Sequence, residues 1–340
     1  MINLLILIVT VLAIIAIIRV IRVLELANEL SGEDVSVITK KDNQFNGIMM
    51  MVFLILGVGA MIYFTLDAKK YLLPISASKH GVIVDKLLDV NWILLIVVFL
   101  ITQFLLFYFS YRYNHRKEKK AYFYPINHTL EFIWTIIPTI VLGGMIVYGL
   151  IVWNNITKPA PKGSMLIEIY GKQFDWTARY AGADNVLGKS NFRLIADNNP
   201  LGVDTTDAAS RDDIITRELH LPVGSKILLK LQSRDVIHSA YLPHFRTQMN
   251  CVPGMTTEFF FEPTITTAQM KQITKNEKFA YVLLCNKICG VAHYNMKMDV
   301  VCEEPEQFKS WIVKQNFVVP RVVTPAVTPP AAATAMTSTK

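Results

Sequence analysis

The sequence predicts a membrane anchor of four apolar helices followed by an all-β domain, either a β-sandwich or a Greek-key barrel. Three observations predict it. Among 340 residues 52% are hydrophobic and 18% charged, and the mean hydropathy is +0.35, which is not the balance of a water-soluble globule. The apolar residues crowd before Trp153, so a membrane half precedes a water-soluble half. After Ser164 the pattern changes to short runs set apart by turn residues.

Four segments have the length and apolarity to cross a bilayer: Ile2–Ile18, Gly47–Phe64, Trp92–Phe109 and Phe132–Trp153. The first lacks the basic start of a signal peptide. Arg19-Val20-Ile21-Arg22 follows it where a small-residue cleavage pattern would stand, so it is read as a true span. The net charge of +7 is concentrated in one stretch holding Arg112, Arg116, Lys117, Lys119 and Lys120. Beside an apolar span such a cluster marks a cytoplasmic loop rather than a nucleic-acid surface. With Arg19, Arg22, Lys40 and Lys41 in the loop after span one, this places everything after Trp153 outside; Lys69, Lys70, Lys79 and Lys86 between spans two and three pull the other way.

Strands are expected at Met165–Tyr170, Phe192–Ile195, Thr216–Leu221, Lys226–Leu231, Thr257–Phe261, Phe279–Leu284 and Met298–Cys302. Turn sequences such as Ala181-Gly182-Ala183-Asp184 and Asn198-Asn199-Pro200 divide them. Glu306–Gln315 reads as a short closing helix, and Pro320–Lys340, rich in Pro, Ala and Thr, as disordered. The expected division is 1–65, two N-terminal spans; 66–154, a transmembrane hairpin; 155–316, the external β-domain; and 317–340, the tail.

The chemistry concentrates in Cys285-Asn-Lys-Ile-Cys289-Gly-Val-Ala-His293-Tyr-Asn-Met296, with His238 roughly fifty residues upstream in Asp235-Val-Ile-His238-Ser. The loop follows an expected strand, and loops on a rigid sheet are where ligands converge. Thiolate, imidazole and thioether form a soft donor set, which selects copper over magnesium, calcium or manganese. One Cys, two His and one Met suffice for a single copper; a second Cys allows both sulfurs to bridge two ions. Two plainer readings stand beside this. Cys285 and Cys289 form a disulfide, or they bind zinc with His238 and His293, which leaves Met296 without a part. Cys251 and Cys302 lie outside the pattern and are either buried thiols or one disulfide.

At these residues the chain resembles cytochrome c oxidase subunit II, over roughly Phe109 to Asn316. The resemblance implies a cupredoxin-like sandwich carrying a binuclear copper centre. In it Cys285 and Cys289 bridge both ions, His238 and Met296 complete one, and His293 with the backbone carbonyl of Lys287 completes the other. Glu131-Phe-Ile-Trp134-Thr135-Ile-Ile-Pro138 resembles the start of the family's second hairpin helix, where the glutamate implies the mouth of a proton-uptake path into subunit I. Tyr170-Gly-Lys-Gln-Phe174-Asp-Trp176 resembles the aromatic run where electrons enter from cytochrome c, with Phe174 at the position of the entry tryptophan. Spans one and two are additions the family usually lacks, which points to a bacterial inner membrane with the copper domain on the periplasmic side.

The sequence also departs from the family. Lys287 stands where a glutamate usually helps bind magnesium, and an ammonium cannot ligate a hard cation. Asn250 and Met255 replace charged residues around Val252-Pro253-Gly254. The resemblance implies electron transfer from a c-type cytochrome through the copper site to haem in subunit I, an enzyme role without bond chemistry on this chain. Its partners would be subunit I and the other oxidase subunits, with a quinol–cytochrome c reductase as a supercomplex neighbour. Quinol oxidase subunit II lacks the copper ligands, and nitrous oxide reductase lacks the membrane hairpin. A membrane-anchored copper- or zinc-binding delivery or structural module is the competing class, and it leaves the Glu131 motif unexplained.

Overall fold

The computed structural model describes residues 2–30, 39–115, 120 and 122–318 and divides into two compact units. One is Met1–Leu72 with Trp92–Thr135; the other is Leu73–Asn91 with Ile136–Lys340. Helices α1 (Ile2–Leu30), α2 (Lys40–Ala68), α3 (Lys79–Arg112) and α4 (His128–Thr157) are each long and apolar enough to cross a membrane. All four run past the expected spans, and Pro138 inside α4 does not end that helix. Thr39 starts α2 with a reciprocal cap: its hydroxyl accepts from Asp42 N–H at 3.3 Å, and the Asp42 carboxylate accepts from Thr39 N–H at 2.9 Å. In the first unit, α2 and α3 pass closely at Gly47, where a Cβ would lie 3.3 Å from Tyr111 Cα.

The second unit holds two five-stranded sheets. The first has the order β3 (Ile214–Thr216), β2 (Asp175–Tyr180), β1 (Met165–Lys172), β5 (Ile227–Ser233), β8 (Thr257–Phe261). The second has the order β4 (Leu219–Pro222), β10 (Lys297–Glu303), β9 (Tyr281–Cys285), β6 (His238–Leu242), β7 (Thr247–Cys251). The β1–β5 and β4–β10 pairs are parallel and the rest antiparallel. Alternation places Ile167, Ile169, Leu229 and Leu231 of one sheet against Leu219, Leu221, Leu283 and Val300 of the other in a single buried core. At about 25 cal/mol per Å2 of apolar surface, this facing of sheets is the main stabilising contribution.

Several expectations are corrected. Phe192–Ile195 is not a strand: Phe192–Leu194 forms a 3-10 turn, because the Asn191 side chain accepts from Arg193 N–H at 3.0 Å and Phe192 points to solvent. Thr216–Leu221 is two strands in different sheets, with the chain crossing at Arg217-Glu218. Strands β2, β6 and β7 and the helix α5 (Thr267–Thr274) were not expected, since polar residues interrupt the alternation in all three strands. The closing helix α6 is Pro305–Ile312, starting earlier than expected at a proline. All four cysteines are free thiols, so neither disulfide reading holds. The tail Pro320–Lys340 and the basic residues Arg116, Lys117 and Lys119 lie outside the described residues.

Polar residues of β2 are buried for a reason. Arg179 Nε lies 2.7 Å from Glu168 Oε2, its cross-strand neighbour, and Arg179 Nη1 lies 3.4 Å from Asp213 Oδ2. All three side chains are at most 3% exposed. Burial pushes the Asp213 carboxyl up to about 6, outweighing the attraction of Arg179. A carboxyl with a raised pKa contributes stability that is present below its ordinary value and is lost as pH rises through about 6.

Two outcomes follow for thermal unfolding of the purified chain. Arg179→Met strands two buried carboxylates and destabilises the domain at pH 7 by about 3–5 kcal/mol. Asp213→Asn makes the slope of stability against pH between about pH 4 and about pH 6 less negative than in the native chain.

Candidate metal centre

The adjacent strands β6 and β9 carry the first two ligands: His238 opens β6, Cys285 closes β9, and Ala240 pairs with Cys285 across the ladder. The chain then leaves the sheet as a loop and returns at β10. Cys285 N–H donates to Met296 carbonyl at 3.1 Å, closing the loop at its base, and Asn286 N–H donates to Ser239 carbonyl at 3.0 Å. Within this frame all six expected ligand positions converge. Cys285 Sγ lies 3.8 Å from Cys289 Sγ, 3.8 Å from His238 Nδ1 and 3.2 Å from Lys287 carbonyl O. Cys289 Sγ lies 3.6 Å from His293 Nδ1 and 3.7 Å from Met296 Sδ. His238 is fully buried, Met296 and both cysteines nearly so, and His293 half-buried.

Neighbours that sequence reasoning passed over set the orientation. His238 Nε2 lies 2.8 Å from an Asp235 carboxylate oxygen, which only accepts, so the ring proton is on Nε2 and the Nδ1 lone pair faces Cys285. Asp235 also accepts from Gln173 N–H at 2.7 Å, and the Gln173 amide donates to the Cys289 carbonyl. Burial works against the Asp235 charge, yet hydrogen bonds from Gln173, His238 and Val236 together hold its carboxyl below the usual range. The sequence signal for Asp235 is its i, i+3 spacing to His238; Gln173 gave none.

The aromatic run forms the floor. Trp176 is fully buried and meets the His238 ring edge-on, centroids 5.8 Å apart. A Cβ on Gly171 would lie 2.9 Å from Trp176 and 3.2 Å from His238, so glycine leaves room for both. Phe174 is half-buried beneath Gly290, whose φ is +146° and whose Cβ would sit 2.8 Å from the Phe174 ring. Lys287 points its side chain to solvent, as do Asn250 and Met255. Glu131 stands on the first turn of α4, with a carboxylate oxygen 3.1 Å from His128 Nδ1.

The donor chemistry fits copper: two reduced sulfurs, two imidazoles and a thioether within reach of one point, with water largely excluded. Burial, and then the adjacent Cys285, push the Cys289 thiol up to about 11. Metal entry therefore displaces protons, and affinity rises with pH.

Such a site on a β-sandwich that follows four helices able to span a membrane defines a membrane-anchored metal-binding subunit. Family profiles give the rest: "Cytochrome C oxidase subunit II, transmembrane domain" matches residues 65–152, and "Cytochrome C oxidase subunit II, periplasmic domain" matches residues 165–304. The alternative cytochrome c oxidase subunit 2 of Bradyrhizobium diazoefficiens is 31% identical over 270 residues, 78% of this chain and 91% of that protein. Cytochrome c oxidase subunit 2 of Thermostichus vulcanus is 26% identical over 296 residues, 79% of this chain and 86% of that one. Among solved structures, the periplasmic domain of subunit II of cytochrome oxidase (CoxB) of Bradyrhizobium japonicum matches 46% of this chain and 95% of that one, at 23% identity and a TM-score of 0.29. The chain belongs to the cytochrome c oxidase subunit II family. Family and donor set together imply copper.

Asp235→Ala loses the acceptor that fixes His238, and copper affinity falls about 10–100-fold, measured by competition with a chelator. Gly290→Ala drives a methyl group into Phe174 at an unfavourable φ and weakens copper binding without touching a ligand.

Proposed function

We propose that this chain is the electron-accepting subunit of a proton-pumping cytochrome c oxidase. It takes one electron at a time from a c-type cytochrome and passes it to haem a of subunit I, where oxygen is reduced to water. The observation that carries this reading is the convergence of two free thiols, two imidazoles, a thioether and a carbonyl at one end of the sandwich. We assign Cys285 and Cys289 as bridges between two copper ions, His238 and Met296 as further ligands of one, and His293 with the Lys287 carbonyl as those of the other. When bound, such a pair supplies a single electron carrier whose bonds change little between its redox states.

The chain's own residues prepare that chemistry. Asp235 holds the proton on His238 Nε2 and so keeps Nδ1 free as a donor. Gln173 ties the loop at Cys289 to the β1–β2 turn, which limits rearrangement. Phe174, half-buried against the loop, is assigned to electron entry, with Trp176 beneath it in contact with His238. Ile288, Val291 and Tyr294 are each at least 85% exposed on the same loop, a surface suited to contact with another protein. Lys287 supplies no magnesium ligand, since its side chain is a cation, and the family's usual magnesium site lacks that contact here. Glu131, partly exposed on the first turn of α4, is assigned to the proton-path entrance, where the helix dipole favours a carboxylate. The location that fits is a bacterial inner membrane, with the copper domain in the periplasm.

Electron paramagnetic resonance of the purified copper-loaded chain tests this. The expected spectrum shows one unpaired electron split by two equivalent copper nuclei, and it is abolished in Cys285→Ser and Cys289→Ser. A single-copper spectrum, or tight zinc with no colour, would instead place the chain among delivery or structural modules.

A further inference from the structure

The segment before α3 is built into the β-domain. Ala77 is fully buried; its N–H donates to His244 carbonyl at 2.7 Å and its carbonyl accepts from Thr264 N–H at 2.8 Å. Ser78 hydroxyl donates to Phe245 carbonyl at 2.6 Å, and Lys79 N–H donates to Glu262 carbonyl at 3.0 Å. At the centre of this joint stands Arg246, which leaves β6 through the turn Pro243–Phe245 and has a left-handed backbone, φ +52°. Its side chain is 8% exposed. Nε donates to Asp85 Oδ1 at 2.8 Å and Nη2 to Asp85 Oδ2 at 2.9 Å, a bidentate fork. Nη1 donates to Pro243 carbonyl at 2.6 Å, and Nη2 also donates to Pro74 carbonyl. Gly81 clears the way: a Cβ there would lie 3.0 Å from Arg246 Cγ and closer still to the Ser76 and Ser78 hydroxyls.

Asp85 lies in the second turn of α3, on the helix that continues as a membrane span. From Arg246 the path back to the metal ligand His238 is short and stiff, since Pro243 caps β6 and His238 opens it, paired to Cys251 of β7. The fork therefore joins the strand that carries a copper ligand to the membrane-entering end of a helix. A lysine could not do this, because it lacks a planar fork that meets both carboxylate oxygens while also holding two carbonyls.

We propose that Arg246 is a positioning residue for electron transfer: through its fork on Asp85 it sets the distance and orientation of the metal loop relative to the end of α3, and hence to the acceptor held in the membrane. This rests on the electron-transfer reading above. Electron tunnelling falls off exponentially with distance, so a small slackening of this joint slows transfer without altering the metal ligands.

The test uses the intact, copper-loaded oxidase complex, with an electron injected photochemically at the copper site and its departure followed optically. Asp85→Asn, which lies outside the sandwich, and Arg246→Lys are expected to keep the native copper spectrum while the departure rate falls on the order of tenfold or more. Asp85→Glu, which retains the carboxylate, recovers most of the rate. A native rate in Asp85→Asn with its copper spectrum intact overturns the inference. Loss of the copper spectrum in Asp85→Asn overturns it too, because the pair would then hold the fold of the domain rather than its placement. A native complex without the two-copper spectrum overturns the electron-relay reading itself, and this inference with it.

Discussion

Two reduced thiols 3.8 Å apart and buried are not something a loop can hold by itself. Unsupported, such a pair oxidises to a disulfide or swings apart to solvate. Here the loop is stitched at its base by Cys285 and Met296, roofed by Gly290 against Phe174, and tied through Gln173 to Asp235. Each of those supports requires the two sheets to pack as they do. β1 must present Gly171 under His238, β2 must present Trp176, and β6 must lie between β7 and β9. The sandwich is a frame for a preset donor cage, and the cage determines where small residues and aromatics have to be.

Much of this was legible in the sequence, for a physical reason in each case. The four spans are long apolar runs, and long runs survive single-residue ambiguity. The C-x3-C-x3-H-x2-M loop is legible because ligand spacing reflects coordination chemistry and not local propensity. Strands β2, β6 and β7 escaped because their residues answer to tertiary partners. Arg179 belongs in β2 only once Glu168 and Asp213 are beside it, and His238 belongs in β6 only once Asp235 holds its ring. The Phe192 segment reads as a strand by composition, but a local side-chain cap from Asn191 overrides that composition. Asp235 was visible as a neighbour of His238 and not as its partner, since a three-residue spacing does not reveal a turn.

The joint around Arg246 was invisible for the same reason on a larger scale. Asp85 and Arg246 stand 161 residues apart, and nothing local marks either as special. The structure brings them together through Ala77 and Ser78, small residues that let a pre-helix segment enter the domain. The start of α3, up to Asn91, and a metal-bearing strand are thereby held in one compact unit. Positioning and ligation are served by different residues, so either can be perturbed alone.

Copper K-edge X-ray absorption of the loaded chain tests the central claim most directly, that one cage holds two metals through shared sulfurs. The account predicts two coppers per chain, each with sulfur and imidazole neighbours and with a second copper in the near shell. One copper per chain with no metal neighbour would contradict it, because Cys285 and Cys289 would then be ligands of a single ion and not bridges.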